Sequence, residues 1–207
     1  MATFPELTRR LVRRWNRQAR FYDLLTAPME RMLGFAPARA WVFERAAKGL
    51  VLEVGAGTGK NLPCYPEGAV VVAADLSAGM LGRAAGKTDG RLGNVRFVVT
   101  DAEDLAFKDG IFDAVVASFV FCTVPDPVRG LREARRVLRD GGEVILLEHL
   151  RPEGRRGRFF DFLDPLASRL MGPHINRRTL DNVRKAGLVV LEERNVFSDW
   201  IKFIVAR

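Results

Sequence analysis

Five short, near-continuously apolar runs, spaced by stretches of helical pattern, constrain this chain more than any other feature. They are residues 50–54, 70–75, 95–99, 112–117 and 143–147. Each is of strand length and most are rich in β-branched side chains, as strands buried on both faces of a parallel sheet must be. Helical spacing fills the gaps, loosely at 60–66 and clearly at 77–87 and 127–139, where Val128, Leu131, Ala134 and Leu138 recur. Strand alternating with helix implies right-handed βαβ crossovers, so the expected fold is α/β, a Rossmann-like doubly wound, mostly parallel sheet.

The flanks read differently. Residues 4–20 form an amphipathic helix in which Phe4, Leu7, Leu11 and Trp15 make the apolar stripe and six arginines fill the other faces. A second helix is expected over 36–48. Residues 151–178 are rich in Arg, Pro and aromatic side chains. Thr179 then has the character of a helix N-cap and Gly187 that of its stop, and strands at 189–194 and 200–206 close the chain. No linker or repeat divides the sequence. The 207 residues are expected to form one domain, with 1–45 as an N-terminal helical lid or membrane-facing segment and 151–185 as a substrate-side insertion.

The glycine-rich turn after the first run carries the first functional signal. Glu53-Val54-Gly55-Ala56-Gly57-Thr58-Gly59 places glycines at alternating positions, which lets the backbone bring its N–H groups close to a ligand. A plain strand-to-helix turn could look the same. The spacing is not the G-x-G-x-x-G of dinucleotide sites. Moreover, the acid Glu53 would repel a pyrophosphate but not the ammonium of S-adenosylmethionine. Asp75 ends the second strand 20 residues after Gly55, where it can accept ribose hydroxyls. Asp101 follows the third strand, where a carboxylate can meet an adenine amino group, and Ser118 ends the fourth at the crevice mouth. Any one of these acids could be a helix cap; acids at successive strand ends are harder to explain that way.

With these residues in hand, the sequence resembles class I S-adenosylmethionine-dependent methyltransferases. VLEVGAGTGKN (51–61), AADLSAGML (73–81), FVVTDAEDLAFKDGIFDAVVAS (97–118) and REARRVLRDGGEVILLEH (132–149) are similar to the motifs of that class in order and spacing. The likeness is strong over about 50–149 and weak at the ends. It runs nearest to the ubiquinone/menaquinone-biosynthesis methyltransferases and bacterial phosphatidylethanolamine N-methyltransferases. The resemblance implies a seven-stranded sheet with a reversed C-terminal hairpin. It implies that Glu53, Gly55, Ala56, Gly57 and Gly59 surround the methionine part of S-adenosyl-L-methionine and that Asp75 holds the ribose. Leu76 and Met80 would pack on adenine, and Asp101 with Ala102 would read its edge.

Catalytic candidates come from strand ends and flanks: Tyr22 in a lid, Glu148 and His149 at the end of the fifth strand, and His174 in the insertion. Histidine is a natural proton acceptor near neutral pH. For each, a structural hydrogen bond is the alternative. Cys122 reads as a buried small residue. Cys64 and Cys122 have no partnering pattern, so neither a disulfide framework nor a metal site is expected.

The net charge of +8 bears on partners. Nine arginines face four acids in residues 1–45, and nine basic residues face four acids in 151–185, whereas 46–150 carries a slight acidic excess. Two basic, apolar flanks suit an anionic membrane surface and a lipid-like methyl acceptor, or they simply cover the sheet and show arginine to water. The second flank includes Arg158, Phe159, Phe160, Phe162, Leu163, Leu166, Arg169, Leu170 and Met171. With no apolar core at the N-terminus and no run long enough to span a bilayer, a cytoplasmic protein is expected, peripheral to the inner face of the membrane if the flanks bind lipid. N-methylation of a phosphatidylethanolamine-type headgroup leads, followed by C-methylation of a prenylated quinone precursor and then a soluble small molecule. A nucleic-acid methyltransferase is the reading from another class, but no nucleic-acid module or amino-methylating motif supports it, so no nucleic acid is expected. A non-catalytic cofactor-binding protein is a further alternative.

Overall fold

The computed structural model describes residues 4–46, 49–88, 93–170 and 172–207; of Phe4, Pro5 and Leu170 only the backbone is described, and Met171 lies outside the described residues. Seven strands form one sheet in the order β3-β2-β1-β4-β5-β7-β6. They are β1 (Leu50–Val54), β2 (Val70–Asp75), β3 (Val95–Val99), β4 (Phe112–Ser118), β5 (Leu138–His149), β6 (Val190–Phe197) and β7 (Ile201–Ala206). The first five pair in parallel. β7 runs antiparallel to β5, and β6 antiparallel to β7, which is the reversed hairpin.

Period-two alternation explains why the strands read as continuous apolar runs. In β5, Val144 and Leu146 enter the core under α5 (Pro127–Val137) and α7 (Thr179–Lys185), while Ile145 and Leu147 enter the core under α3 (Phe35–Arg45). β4 and β7 divide in the same way, so their apolar side chains are buried on one face or the other.

Several boundaries differ from the sequence expectation. Residues 60–66 hold only a 3₁₀ turn at Leu62–Cys64, because Pro63 and the chain's return to β2 leave no room for a helix. The helix expected at 77–87 is α4 (Ala78–Ala85), capped by the Ser77 hydroxyl, which accepts the Met80 N–H at 3.1 Å. Thr179 is not an N-cap. It is the first residue of α7, and its hydroxyl donates instead to the His149 carbonyl at 3.3 Å. α5 stops at Val137 and the chain extends at once, so β5 starts five residues earlier than hydropathy alone suggests. Two helices take bounds that the sequence reading left open: α2 (Tyr22–Leu33), inside the expected helical lid, and α6 (Gly154–Leu170), over the second basic, apolar stretch and carrying Pro165 within it.

The N-terminal helix α1 (Phe4–Gln18) is placed by side chains, not by a buried apolar face. Asn16 Oδ1 accepts the Ser77 hydroxyl at 2.6 Å and the Gly79 N–H at 2.8 Å, joining α1 to the start of α4. Arg14 donates to the carbonyls of Ser168 and Arg169 at the end of α6. Its apolar residues Leu11 and Trp15 line an internal cavity. Of the four stripe residues, Leu11 and Trp15 close the cavity and Leu7 is exposed at 37%.

Candidate functional site

Strand order reverses between β1 and β4, and a crevice opens at the carboxyl ends of the strands at such a switch point. A cavity of about 500 Å³ lies there, roofed by α1 and α2. That volume suits a cofactor together with part of a small acceptor. Its wall is drawn from successive strand ends: Gly55, Ala56 and Gly57 after β1, Asp75 and Leu76 at β2, Asp101 and Ala102 after β3, Ser118 and Phe119 at β4, and His149 at β5. Met80 from α4 and Tyr22 from α2 complete it. Of the residues named from sequence, Glu53, Gly59, Glu148 and His174 are not in the wall.

The three glycines of the turn serve different ends. A Cβ at Gly55 would lie 2.4 Å from a Val120 methyl. One at Gly59 would strike Leu62 and Ala84, so this glycine permits helix packing behind the loop. At Gly57 the backbone has φ +56°, and a Cβ would meet nothing nearer than the Gly55 carbonyl at 3.9 Å, so a side chain there would fill the cavity itself.

Asp75 fixes this turn. Its Oδ2 accepts the Gly57 N–H at 2.9 Å and its Oδ1 the Ser77 N–H at 2.8 Å. Burial raises its pKa against the pull of these two donors. Asp101 holds its own corner by accepting the Glu103 N–H at 2.9 Å. Glu53 is sealed beneath the wall, accepting Asn61 Nδ2 at 2.5 Å and the Tyr65 hydroxyl, with its pKa raised by burial. Asn61 relays this acid toward the cavity: its Nδ2 also reaches Ser118 Oγ at 3.3 Å, and its Oδ1 accepts Arg39 Nη1 at 2.7 Å.

Arg39, Lys60, Asn61 and Glu30 all line the cavity, and sequence reasoning missed them. Glu30 accepts Arg39 Nη2 at 2.8 Å and pairs with Lys60 at 2.9 Å. The signal available was a lone arginine within the otherwise apolar 35–43 stretch and an asparagine directly after the glycine turn.

Phe119 adopts φ +59°, a conformation costly for a bulky side chain and worth explaining when it occurs beside a cavity. Its ring packs between Phe35 (4.8 Å) and His149 (4.7 Å), with the Arg39 guanidinium 5.4 Å from its centroid. His149 is in turn stacked on Trp200 at 5.1 Å. Its Nδ1 is buried without a hydrogen-bonding partner, and burial lowers its pKa to about 4, so the ring is neutral near pH 7.

The remaining candidates hold the frame. Glu148 Oε1 accepts the N–H groups of Val120 (2.7 Å) and Phe121 (2.8 Å), which pins the segment after the strained Phe119. Burial pushes its pKa up to about 7. His174 Nδ1 pairs with Asp164 of α6 at 2.8 Å, and its backbone N–H reaches the Cys122 carbonyl, so it ties the 172–178 segment down while its neighbour Pro173 enters the wall. The Tyr22 hydroxyl is pushed up to about 12 by burial and so stays protonated, a donor and not a base. Burial likewise holds the Cys122 thiol well above its ordinary range, which makes it a poor nucleophile.

Comparison with known proteins agrees with this geometry. Residues 52–146 match the methyltransferase domain family. The chain is 43% identical over 106 residues to a phosphatidylethanolamine N-methyltransferase from Cereibacter sphaeroides, covering 50% of this chain and 52% of that protein. It is 45% identical over 105 residues to a demethylmenaquinone methyltransferase from Clavibacter sepedonicus, covering 49% and 42%. The chain thus spans about half the length of these curated relatives. In fold it is similar to an S-adenosylmethionine-dependent methyltransferase from Aquifex aeolicus (TM-score 0.64, 21% identity, 86% of this chain and 92% of that one). It is also similar to the [4+2]-cyclase SpnF (TM-score 0.69, 22% identity, 83% and 79%).

Fold and motif point to one class: the sheet is similar to that of an S-adenosylmethionine-dependent methyltransferase of known structure, and residues 52–146 match the methyltransferase domain family. The curated relatives that the chain resembles divide between a phosphatidylethanolamine N-methyltransferase and quinone-biosynthesis methyltransferases. The cofactor of the class is S-adenosyl-L-methionine, and the cavity fits it: open space over Gly57, acids at the ends of β2 and β3, and Leu76 and Met80 as apolar cover.

Asp75→Ala is expected to weaken cofactor binding by about 1–3 kcal/mol, the loss of an acceptor compounded by release of the Gly57 turn. Asp75→Asn, which keeps an oxygen acceptor, should lose less. Titration calorimetry separates the two, and equal affinity in both variants and the parent would place the ribose elsewhere.

Proposed function

We propose that this protein transfers a methyl group from S-adenosylmethionine to the amine of a phosphatidylethanolamine-type headgroup at a membrane surface. The observation that carries the lipid part is the cavity mouth, where Leu25 and Met29 both line the cavity and stand exposed to the outside. An apolar wall that runs out to the surface suits an acceptor whose tail stays outside while its head enters. The 43% identical phosphatidylethanolamine N-methyltransferase supports the amine as acceptor.

When bound, the cofactor supplies an already activated methyl group on a sulfonium, so no nucleophilic side chain is needed. The chain's task is alignment and exclusion of water. Gly55, Ala56, Gly57, Asp75, Leu76, Met80, Asp101, Ala102 and Ser118 would hold the cofactor from strand ends. Glu53 would act through Asn61, and Gly59 through packing of the loop. Neutral His149, with Nδ1 sealed away, is left with Nε2 to accept a hydrogen bond from the acceptor amine. The Tyr22 hydroxyl would donate across the cavity, and Glu148 would position Phe119. His174 would fix the loop that carries Pro173.

A quinone acceptor is the second reading, favoured by the 45% identical demethylmenaquinone methyltransferase; a prenyl tail would use the same mouth. Methyl transfer from radiolabelled cofactor to a bacterial lipid extract, resolved by thin-layer chromatography, tests both. Label in phospholipid is the expected result. Label in the neutral fraction transfers the assignment to a quinone precursor, and no label in any lipid overturns the lipid acceptor.

A further inference from the structure

Resting on that reading, we infer that α2 docks this protein on an anionic bilayer, its outer face entering the acyl region beside the cavity mouth. A surface helix ordinarily turns its apolar side to the core and its polar side to water. α2 departs from this: Tyr22 and Met29 line the cavity and Leu33 packs on the core below α3, but much of the rest of its inward side is polar while large apolar side chains face out. Its polar inward residues are Asp23, Thr26 and Glu30: Asp23 accepts the Thr58 hydroxyl at 2.6 Å and pairs with Lys87 at 2.7 Å, Thr26 accepts from Lys60, and Glu30 binds Arg39 and Lys60. Taken as whole residues, none of α2 is fully buried, although the Tyr22 hydroxyl is enclosed at the cavity. Facing outward on and beside the helix are Phe21, Leu24, Leu25 and Met32, 59–78% exposed. Four large apolar side chains on or just before one short helix, with polar contacts on its other side, form a patch of the kind that marks an interaction surface.

Two observations select a bilayer as its occupant. Exposed Arg17 and Arg20 precede the patch and exposed Arg31 lies within it, the arrangement that anionic headgroups attract. The patch also runs without a break, through Leu25 and Met29, into the cavity. A protein partner seated on it would cover that mouth, whereas a bilayer would deliver a tailed acceptor through it. α6 adds a second exposed apolar set, Phe159, Phe162 and Leu166, near exposed Arg155, Arg158 and Arg169.

The test uses the full chain, floated with vesicles of phosphatidylethanolamine and phosphatidylglycerol. The parent is expected to float, with binding that weakens as salt rises. Phe21→Ser, Leu24→Ser and Met32→Ser combined should lower vesicle partitioning by on the order of 100-fold, while calorimetric affinity for the cofactor and the melting temperature stay at parental values. Arg17→Gln, Arg20→Gln and Arg31→Gln should each cost about fivefold at low salt. Partitioning of the triple serine variant equal to the parent's would overturn the inference, as would a parent that stays with the soluble fraction. A parent that dimerises in sedimentation while the serine variant is monomeric would assign the patch to a second copy instead. Transfer to dihexanoyl phosphatidylethanolamine below its micellar concentration keeps the two proposals apart. Turnover there without flotation removes the docking surface alone, and flotation without transfer to any lipid removes the acceptor alone.

Discussion

Gly57→Val is expected to abolish measurable binding of S-adenosylmethionine while leaving the protein folded. Position 57 has φ +56°, a region that costs an L-residue roughly 1–2 kcal/mol and a β-branched one more. The larger effect is occupancy. The added side chain would have no protein atom to pack on nearer than 3.9 Å from its Cβ, because it would point into the cavity where the ligand must lie. Gly57 also gives its N–H to Asp75, so distortion there loosens the acid expected to hold the ribose. Calorimetry should show no heat of binding, with a far-ultraviolet spectrum like the parent's. Binding within a few-fold of the parent would place the cofactor away from this turn.

The second large effect is on stability as a function of pH, and it sets two adjacent residues against each other. Glu148 has its folded pKa raised to about 7 from an ordinary 4.5. Its contribution is therefore fully present below pH 4.5 and is lost as pH rises through 7. His149 has its folded pKa lowered to about 4 from 6.5. The unfolded chain takes up this proton first, so stability is lost as pH falls from 6.5 toward 4. Each swing is roughly 3 kcal/mol, and the two windows overlap, so they largely cancel in the parent. Relative to the parent, Glu148→Gln should gain roughly 3 kcal/mol between pH 4 and 8, and His149→Phe should lose a similar amount over the same rise. Urea titrations at a series of pH values read this directly; parallel curves for parent and both variants would mean that neither group is held as described. Glu148→Ala differs in kind. It leaves two buried backbone donors, Val120 N–H and Phe121 N–H, without an acceptor, and should cost roughly 2–6 kcal/mol at any pH.

Most of the sheet was legible before the structure because its information is local. A strand buried on both faces needs apolar residues at most positions, so β1, β2, β4 and the end of β5 announce themselves by composition alone. The glycine turn was legible for a similar reason: positive φ and close approach exclude nearly every other residue, and Asp75 and Asp101 stand at fixed distances from it.

What depends on partners distant in sequence was not. The bounds of α2 within the expected helical lid were not legible because much of its inward face is polar. Asp23 and Glu30 earn their places only once Lys87, Lys60, Thr58 and Arg39 arrive from other elements, and nothing in residues 22–33 specifies that. The stripe of α1 was legible as apolar, but an apolar stripe does not say what it faces; the fold turned Leu11 and Trp15 onto a cavity. Glu148 and His149 are consecutive on one strand and so project to opposite faces, which sent the acid to brace a backbone corner and the imidazole to the cavity wall. Sequence could name both as titratable groups at a strand end. Only the packing around each, through burial and the stacking of Phe119 and Trp200 on the imidazole, decided which of them meets the ligand.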